Sequence, residues 1–93
     1  MARASTFTKI PKARMGALIG PEGQVKATIE NRLSVELTID SETGDVTITL
    51  AKEDSDPSLL FRAKEVVTAI GRGFSPDRAY RLISDEDAAL EVI

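Results

Sequence analysis

Gly16-Ala17-Leu18-Ile19-Gly20-Pro21-Glu22-Gly23-Gln24-Val25-Lys26 is the stretch on which the reading of the fold turns. Met15 to Ile19 is a compact apolar run, long enough for about one helical turn before Gly20. Gly20 suits the left-handed residue that ends a helix. Gly23 opens a second helix, which places Val25 and Ile29 on its inner face at i, i+4 and ends near Asn31-Arg32. Two glycines three apart are common by chance. Their meaning comes from position, between two helices, behind Ile19 and ahead of a basic amphipathic segment.

Working outward, Phe7 to Ile10 reads as a short strand closed by Pro11, which cannot continue a sheet interior. Downstream, Val35, Leu37 and Ile39 alternate with Glu36, Thr38 and Asp40, the period of a half-buried strand. Residues 41–45 form a turn in which Gly44 can take a positive φ, and Val46, Ile48 and Leu50 alternate with threonines to supply the partner strand. Asp56-Pro57 is a helix start, with Asp capping and Pro at the first helical position. Leu59, Leu60, Ala63, Val66, Val67 and Ile70 then make an amphipathic stripe that ends at Gly71. Ser75-Pro76 begins a further short helix, and Phe74 is placed to staple onto Ala79. The order is strand, helix, helix, strand, strand, helix, with an added C-terminal helix: an α+β domain with one face of a sheet covered by helices.

Composition bounds the function. Ninety-three residues fit one domain. No apolar run approaches the ~20 residues that span a bilayer, and the N-terminus lacks a signal-peptide h-region. Without cysteine or histidine, the chain offers no thiolate metal site and lacks the commonest general base. The expectation is an intracellular, cytoplasmic, metal-free, cofactor-free and non-catalytic domain. The net charge of −3 hides blocks. Residues 1–32 carry six Lys/Arg against two acids, and residues 61–82 carry five against two. Residues 33–60 carry seven acids against Lys52, and residues 83–93 carry four acids alone. A local basic face matters more to a polyanionic partner than the overall balance.

Lys9-Ile10-Pro11, the Gly16–Gly23 segment, Ile29 and Leu37-Thr38-Ile39 stand in the order of a type I KH domain, which residues 6 to 71 resemble. The segment Ala69-Ile70-Gly71-Arg72-Gly73-Phe74-Ser75-Pro76-Asp77-Arg78-Ala79-Tyr80-Arg81-Leu82 resembles the helix-linker signature of the Krr/Pno (partner-of-Nob) ribosome-assembly family. Archaeal members of that family carry two KH domains. The chain resembles the first of them and lacks the basic N-terminal extension usual in eukaryotic members. Residues 1–83 are therefore expected to form the KH domain with its helical extension, and residues 84–93 the start of a linker toward a second KH domain. The resemblance implies binding of single-stranded RNA, specifically small-subunit ribosomal RNA during its maturation. It also implies partners such as the Nob-type endonuclease or the alpha subunit of archaeal initiation factor two.

The physics of such a turn is direct. Glycines without β-carbons admit a sugar-phosphate chain, and the following helix aims free N–H groups at phosphate. In KH domains the turn clamps about four nucleotides of single strand. By resemblance the apolar floor comprises Gly16, Ala17 and Ile19 on one side and Leu37, Thr38 and Ile39 on the other. Gly20, Pro21, Glu22, Gly23 and Gln24 form the clamp, and Lys12, Arg14 and Lys26 supply phosphate contacts. The chain departs from the pattern in three places. Pro21 removes an N–H and Glu22 brings a negative charge. Lys26 stands where an apolar residue is usual, with Val25 filling in, and Leu33-Ser34 replaces a common Thr-Gly. These departures support an alternative, a KH-fold protein-interaction scaffold with little RNA affinity.

Other candidates reduce to structure. Asp40, Glu42 and Asp45 lack calcium-loop spacing and read as a hairpin turn. Glu53 and Asp54 read as a solvated loop. Arg72, Arg78 and Arg81 suit either RNA contact or helix-end electrostatics.

Overall fold

The computed structural model describes residues 3–81. The elements are β1 (Ser5–Lys9), α1 (Met15–Ile19), α2 (Gln24–Leu33), β2 (Val35–Asp40), β3 (Asp45–Leu50) and α3 (Ser58–Gly71). A short helix, α4, follows over residues 76–81. Single 3-10 turns at Lys12–Arg14 and Pro21–Gly23 precede α1 and α2. The linker expected over residues 84–93 lies outside the described residues.

The strands form an antiparallel sheet in the order β1-β3-β2, so β3 is central and β1 and β2 are its edges. The expected hairpin is present, with Asp40 opposite Asp45 and Val35 opposite Leu50. Gly44 takes φ 85°, and its N–H closes the turn on the Asp40 carbonyl at 2.8 Å. One face of the sheet is covered by the helices. Val35, Leu37, Val46, Ile48 and Leu50 pack there against Leu18, Ile29, Leu33, Ala63, Val66, Val67 and Ile70. The α3 stripe is buried as its spacing requires, except that Leu59 is only partly covered.

The first strand differs from its sequence reading in both position and parity. It spans Ser5–Lys9, and its register sets Thr6 opposite Ile48 and Thr8 opposite Val46. The half-buried inner positions are thus threonines, while Phe7 stands 66% exposed on the outer face. Ile10 leaves the strand: its N–H reaches the Gly44 carbonyl at 2.9 Å and its side chain is buried. Helix α2 runs on to Leu33, which completes the Val25–Ile29–Leu33 stripe and is 2% exposed. The reversal into β2 is made by Ser34 in the left-handed region (φ 54°, ψ 49°), a place more often held by glycine.

Helix α3 is capped by Asp56, whose Oδ1 accepts the Ser58 N–H at 2.9 Å and whose carbonyl accepts that of Leu59 at 3.0 Å. The bond from the Ser58 N–H favours the charged form and holds the carboxyl below its ordinary pKa. The sign follows from the lowered folded-state value. The contribution is present above the unfolded pKa and is lost as pH falls through the folded one. Asp56→Ala is expected to remove part of the stability difference between about pH 5 and pH 3, measured by urea denaturation at each pH; an unchanged difference rejects this cap.

The end of α3 is tied down from several sides. The Phe74 N–H reaches the Ala69 carbonyl at 3.0 Å. Ser75 caps α4 through its hydroxyl and carbonyl, which accept the N–H groups of Arg78 and Ala79 at 3.4 and 2.9 Å. Ala79 is fully buried, and the Arg32 guanidinium lies 5.6 Å from the Tyr80 ring centroid, joining α4 to α2. Phe74 stays 48% exposed and, with Phe61, lines a groove along α3.

Candidate nucleic-acid interface

The turn between α1 and α2 has an unusual backbone. Gly20 sits at φ 75°, ψ 172°, so the expected left-handed helix end is not what forms. This conformation lies outside the left-handed basin in a region essentially reserved for glycine. It swings the chain outward after the Gly20 N–H has closed on the Gly16 carbonyl at 2.8 Å. A β-carbon at Gly20 would lie 2.4 Å from Val25 Cγ2 and 2.9 Å from Val25 N. Val25 therefore takes the inward position and Lys26 is left half-buried beside it. Glu22 (φ 55°, ψ 25°) and Gly23 (φ 75°, ψ 15°) follow in the left-handed region. The Glu22 conformation costs roughly 1–2 kcal/mol, a strain that nothing in its residue type announces.

The donors of the turn are partly spent inside it. The Gly23 N–H bonds the Gly20 carbonyl at 3.1 Å, the Gln24 N–H bonds the Pro21 carbonyl, and Pro21 has no N–H. Gly23 is nonetheless open, since a β-carbon there would meet no atom within 4 Å, and the same holds at Gly16. Pro21, Glu22 and Gln24 are exposed.

The floor residues divide. Ala17 and Ile39 are partly buried and pack on the core, and Ile19, two residues after Ala17, is half-buried. Leu37 is 3% exposed and belongs to the core itself. Thr38 points to the opposite face of the sheet, in register with Thr47 and Phe7. Of the Leu37-Thr38-Ile39 triplet, Ile39 alone offers a partly exposed side chain on the helix side.

The cations divide as well. Lys12 is exposed in its 3-10 turn. Arg14 donates from Nε to the Ile70 carbonyl at 2.8 Å and from Nη2 to the Phe74 carbonyl at 3.0 Å. It thereby pins the start of α1 to the end of α3. With Arg14 so engaged, Lys12 and Lys26 remain as the candidate phosphate ligands, in a segment that also carries Glu22 and Glu30.

Glu30 escaped the sequence reading, and no signal marks a mid-helix glutamate. Its Oε2 accepts the Leu37 N–H at 2.9 Å. Because β2 is an edge strand, that N–H points away from β3, and Glu30 ties the open edge to α2. Ile39, two residues on, turns its backbone groups to the same edge.

No protein-family model matches the chain. A KH domain-containing protein of Methanocaldococcus jannaschii is 52% identical over 85 residues, covering 91% of this chain and 37% of its own length. The chain is a KH domain. Among solved structures, Dim2p from Pyrococcus horikoshii is 49% identical with a TM-score of 0.81, over 86% of this KH domain and 48% of the Dim2p chain. The same organism's a/eIF2alpha–aDim2p–rRNA complex gives 52% identity and a TM-score of 0.81, over 86% of this domain and 45% of the matched chain. A polyribonucleotide nucleotidyltransferase of Leptospira biflexa is 31% identical over 88 residues, 95% of the domain and 12% of the enzyme. The KH domain thus spans about a third of the archaeal relative and under half of each solved chain.

Among the described residues no helix is long and apolar enough to cross a membrane, and no group of His, Cys, Asp and Glu is placed to hold a metal ion.

Proposed function

We propose that this KH domain binds single-stranded RNA beside the Gly20–Gly23 turn, and that the RNA is small-subunit ribosomal RNA during its maturation. The observation that carries the proposal is the close match to a chain of an rRNA complex, at 52% identity and a TM-score of 0.81. The open backbone at Gly16 and Gly23, the partly exposed Ala17, Ile19 and Ile39, and the edge position of β2, where Glu30 takes the Leu37 N–H, support the same location. The alpha-subunit partner is proposed from that complex. The Nob-type endonuclease and a second KH domain in the parent chain are proposed from the family resemblance.

The engaged N–H groups of the turn, together with Pro21 and Glu22, favour a second reading in which the domain is a protein-binding platform with weak RNA affinity. Two measurements separate the readings. In an NMR titration with a tetranucleotide, binding at the turn is expected to shift amides from Gly16 to Lys26 and around Leu37 and Ile39, and to weaken with salt. Glu22→Lys changes the local charge by two units, and at roughly 0.5–1 kcal/mol per screened unit the affinity should rise about five- to thirtyfold. An affinity that ignores this substitution assigns the turn to the platform reading.

A further inference from the structure

Two concavities meet along the outer side of α3, away from the Gly20–Gly23 turn. One, of about 430 Å³, is lined by Phe61, Lys64, Glu65, Thr68, Arg72 and Phe74 among others. The second, of about 520 Å³, shares Thr68 and Arg72 with the first and extends it to Thr8 and Lys9. The combined groove carries three cations and one acid in a chain whose net charge is −3.

Its two aromatic walls are Phe61 and Phe74, which are 67% and 48% exposed. Phe74 is held from both sides of its peptide unit. Its N–H is bonded to Ala69 and its carbonyl accepts the Arg14 guanidinium, both at 3.0 Å. The backbone of Phe74 is thus held while its ring is left facing solvent. Lys64 lies within α3 and Arg72 at its C-cap eight residues on, about 12 Å along the axis. Among the described residues no acid forms a salt bridge with Lys9, Lys64 or Arg72.

Exposed rings interleaved with such cations and two threonine hydroxyls match the chemistry of single-stranded nucleic acid. The bases stack on the rings and the cations neutralise phosphates. We propose that the α3 groove is a second single-stranded RNA track, with Phe61 and Phe74 as stacking platforms and Lys9, Lys64 and Arg72 as phosphate-binding groups. An acidic amphipathic protein segment is the competing occupant. The threefold excess of cations over acids, set between the two rings, favours the polyanion. The proposal extends the RNA-binding reading but uses a different face, so the two fail separately.

The test uses a 15N-labelled domain and an unstructured oligouridylate of about twelve nucleotides, long enough to reach beyond a single four-nucleotide site. The oligonucleotide is expected to shift the amides of Lys64, Thr68, Arg72 and Phe74. The double variant Phe61→Ala/Phe74→Ala is expected to bind it at least about fivefold more weakly, as loss of a stacked base requires. Should that variant melt early, Lys64→Glu/Arg72→Glu at exposed positions serves the same purpose. The neutral pair Lys64→Ala/Arg72→Ala should also flatten the salt dependence by about 0.7 in log–log slope for each phosphate no longer neutralised. Still amides on α3, or folded variants that bind like the parent, overturn the track. So does an acidic amphipathic peptide that occupies the groove when the oligonucleotide does not. Shifts on α3 without shifts around Gly20–Gly23 uphold the track and reject the turn as the binding site.

Discussion

Gly20→Ala is expected to destabilise the domain by about 2–4 kcal/mol, which lowers the melting temperature by on the order of 10–25 °C for a chain of this size. Two costs combine. At φ 75°, ψ 172° a β-carbon is strained wherever it finds space, and here it finds none. Val25 Cγ2 lies 2.4 Å and Val25 N 2.9 Å from where that carbon must go. The side chain of Val25 can be trimmed, but its backbone nitrogen, in the first turn of α2, cannot retreat without moving the helix. Adding Val25→Ala should therefore restore only part of the loss. Gly23→Ala makes the comparison, since Gly23 has positive φ but an unobstructed β-carbon position. It should cost only about 1–2 kcal/mol. Circular dichroism melts of the three variants decide the matter, and equal losses at Gly20 and Gly23 reject the packing account.

Arg14→Ala is the second large effect, at about 2–3 kcal/mol. Its guanidinium donates two charge-assisted bonds, at 2.8 and 3.0 Å, to carbonyls at the end of α3 and just beyond it. Arg14→Lys should recover less than half of the loss, because one ammonium cannot reproduce a planar fork. The distinguishing measurement is the salt dependence of RNA binding. Lys12→Ala should reduce the log–log slope by about 0.7 if Lys12 neutralises one phosphate. Arg14→Ala should lower stability and leave the slope as it was. A reduced slope with an unchanged melting temperature makes Arg14 a phosphate ligand instead of a latch.

Periodicity carried most of the fold. The Val35–Ile39 and Val46–Leu50 alternation, the Leu59–Ile70 stripe and the two Pro-marked helix starts all appear where the sequence places them, because each pattern has one face to bury. Strand β1 was harder to read. Its apolar residues, Phe7 and Ile10, have opposite parity, so periodicity has no consistent signal there, and pairing with β3 set the phase that leaves Thr6 and Thr8 half-buried on the inner side. Helix α2 ran past its expected end because burying Leu33 outweighed the polar pair Asn31-Arg32.

The candidate site shows the same division. The place of the Gly20–Gly23 turn in the fold could be read from the chain: glycines at fixed spacing between two helices, followed by an alternating hairpin, leave few arrangements that bury every apolar face. The state of its parts could not. Arg14 is engaged by carbonyls 56 and 60 residues away, and Glu30 is fixed by the edge strand that lands beside it. The groove of Phe61, Phe74, Lys64, Arg72 and Lys9 joins residues from both ends of the domain. Local sequence encodes backbone preference and the side that must be buried, because those depend on neighbours along the chain. Which donors are already spent, and which cations and rings remain free for a partner, depends on groups brought together only by folding.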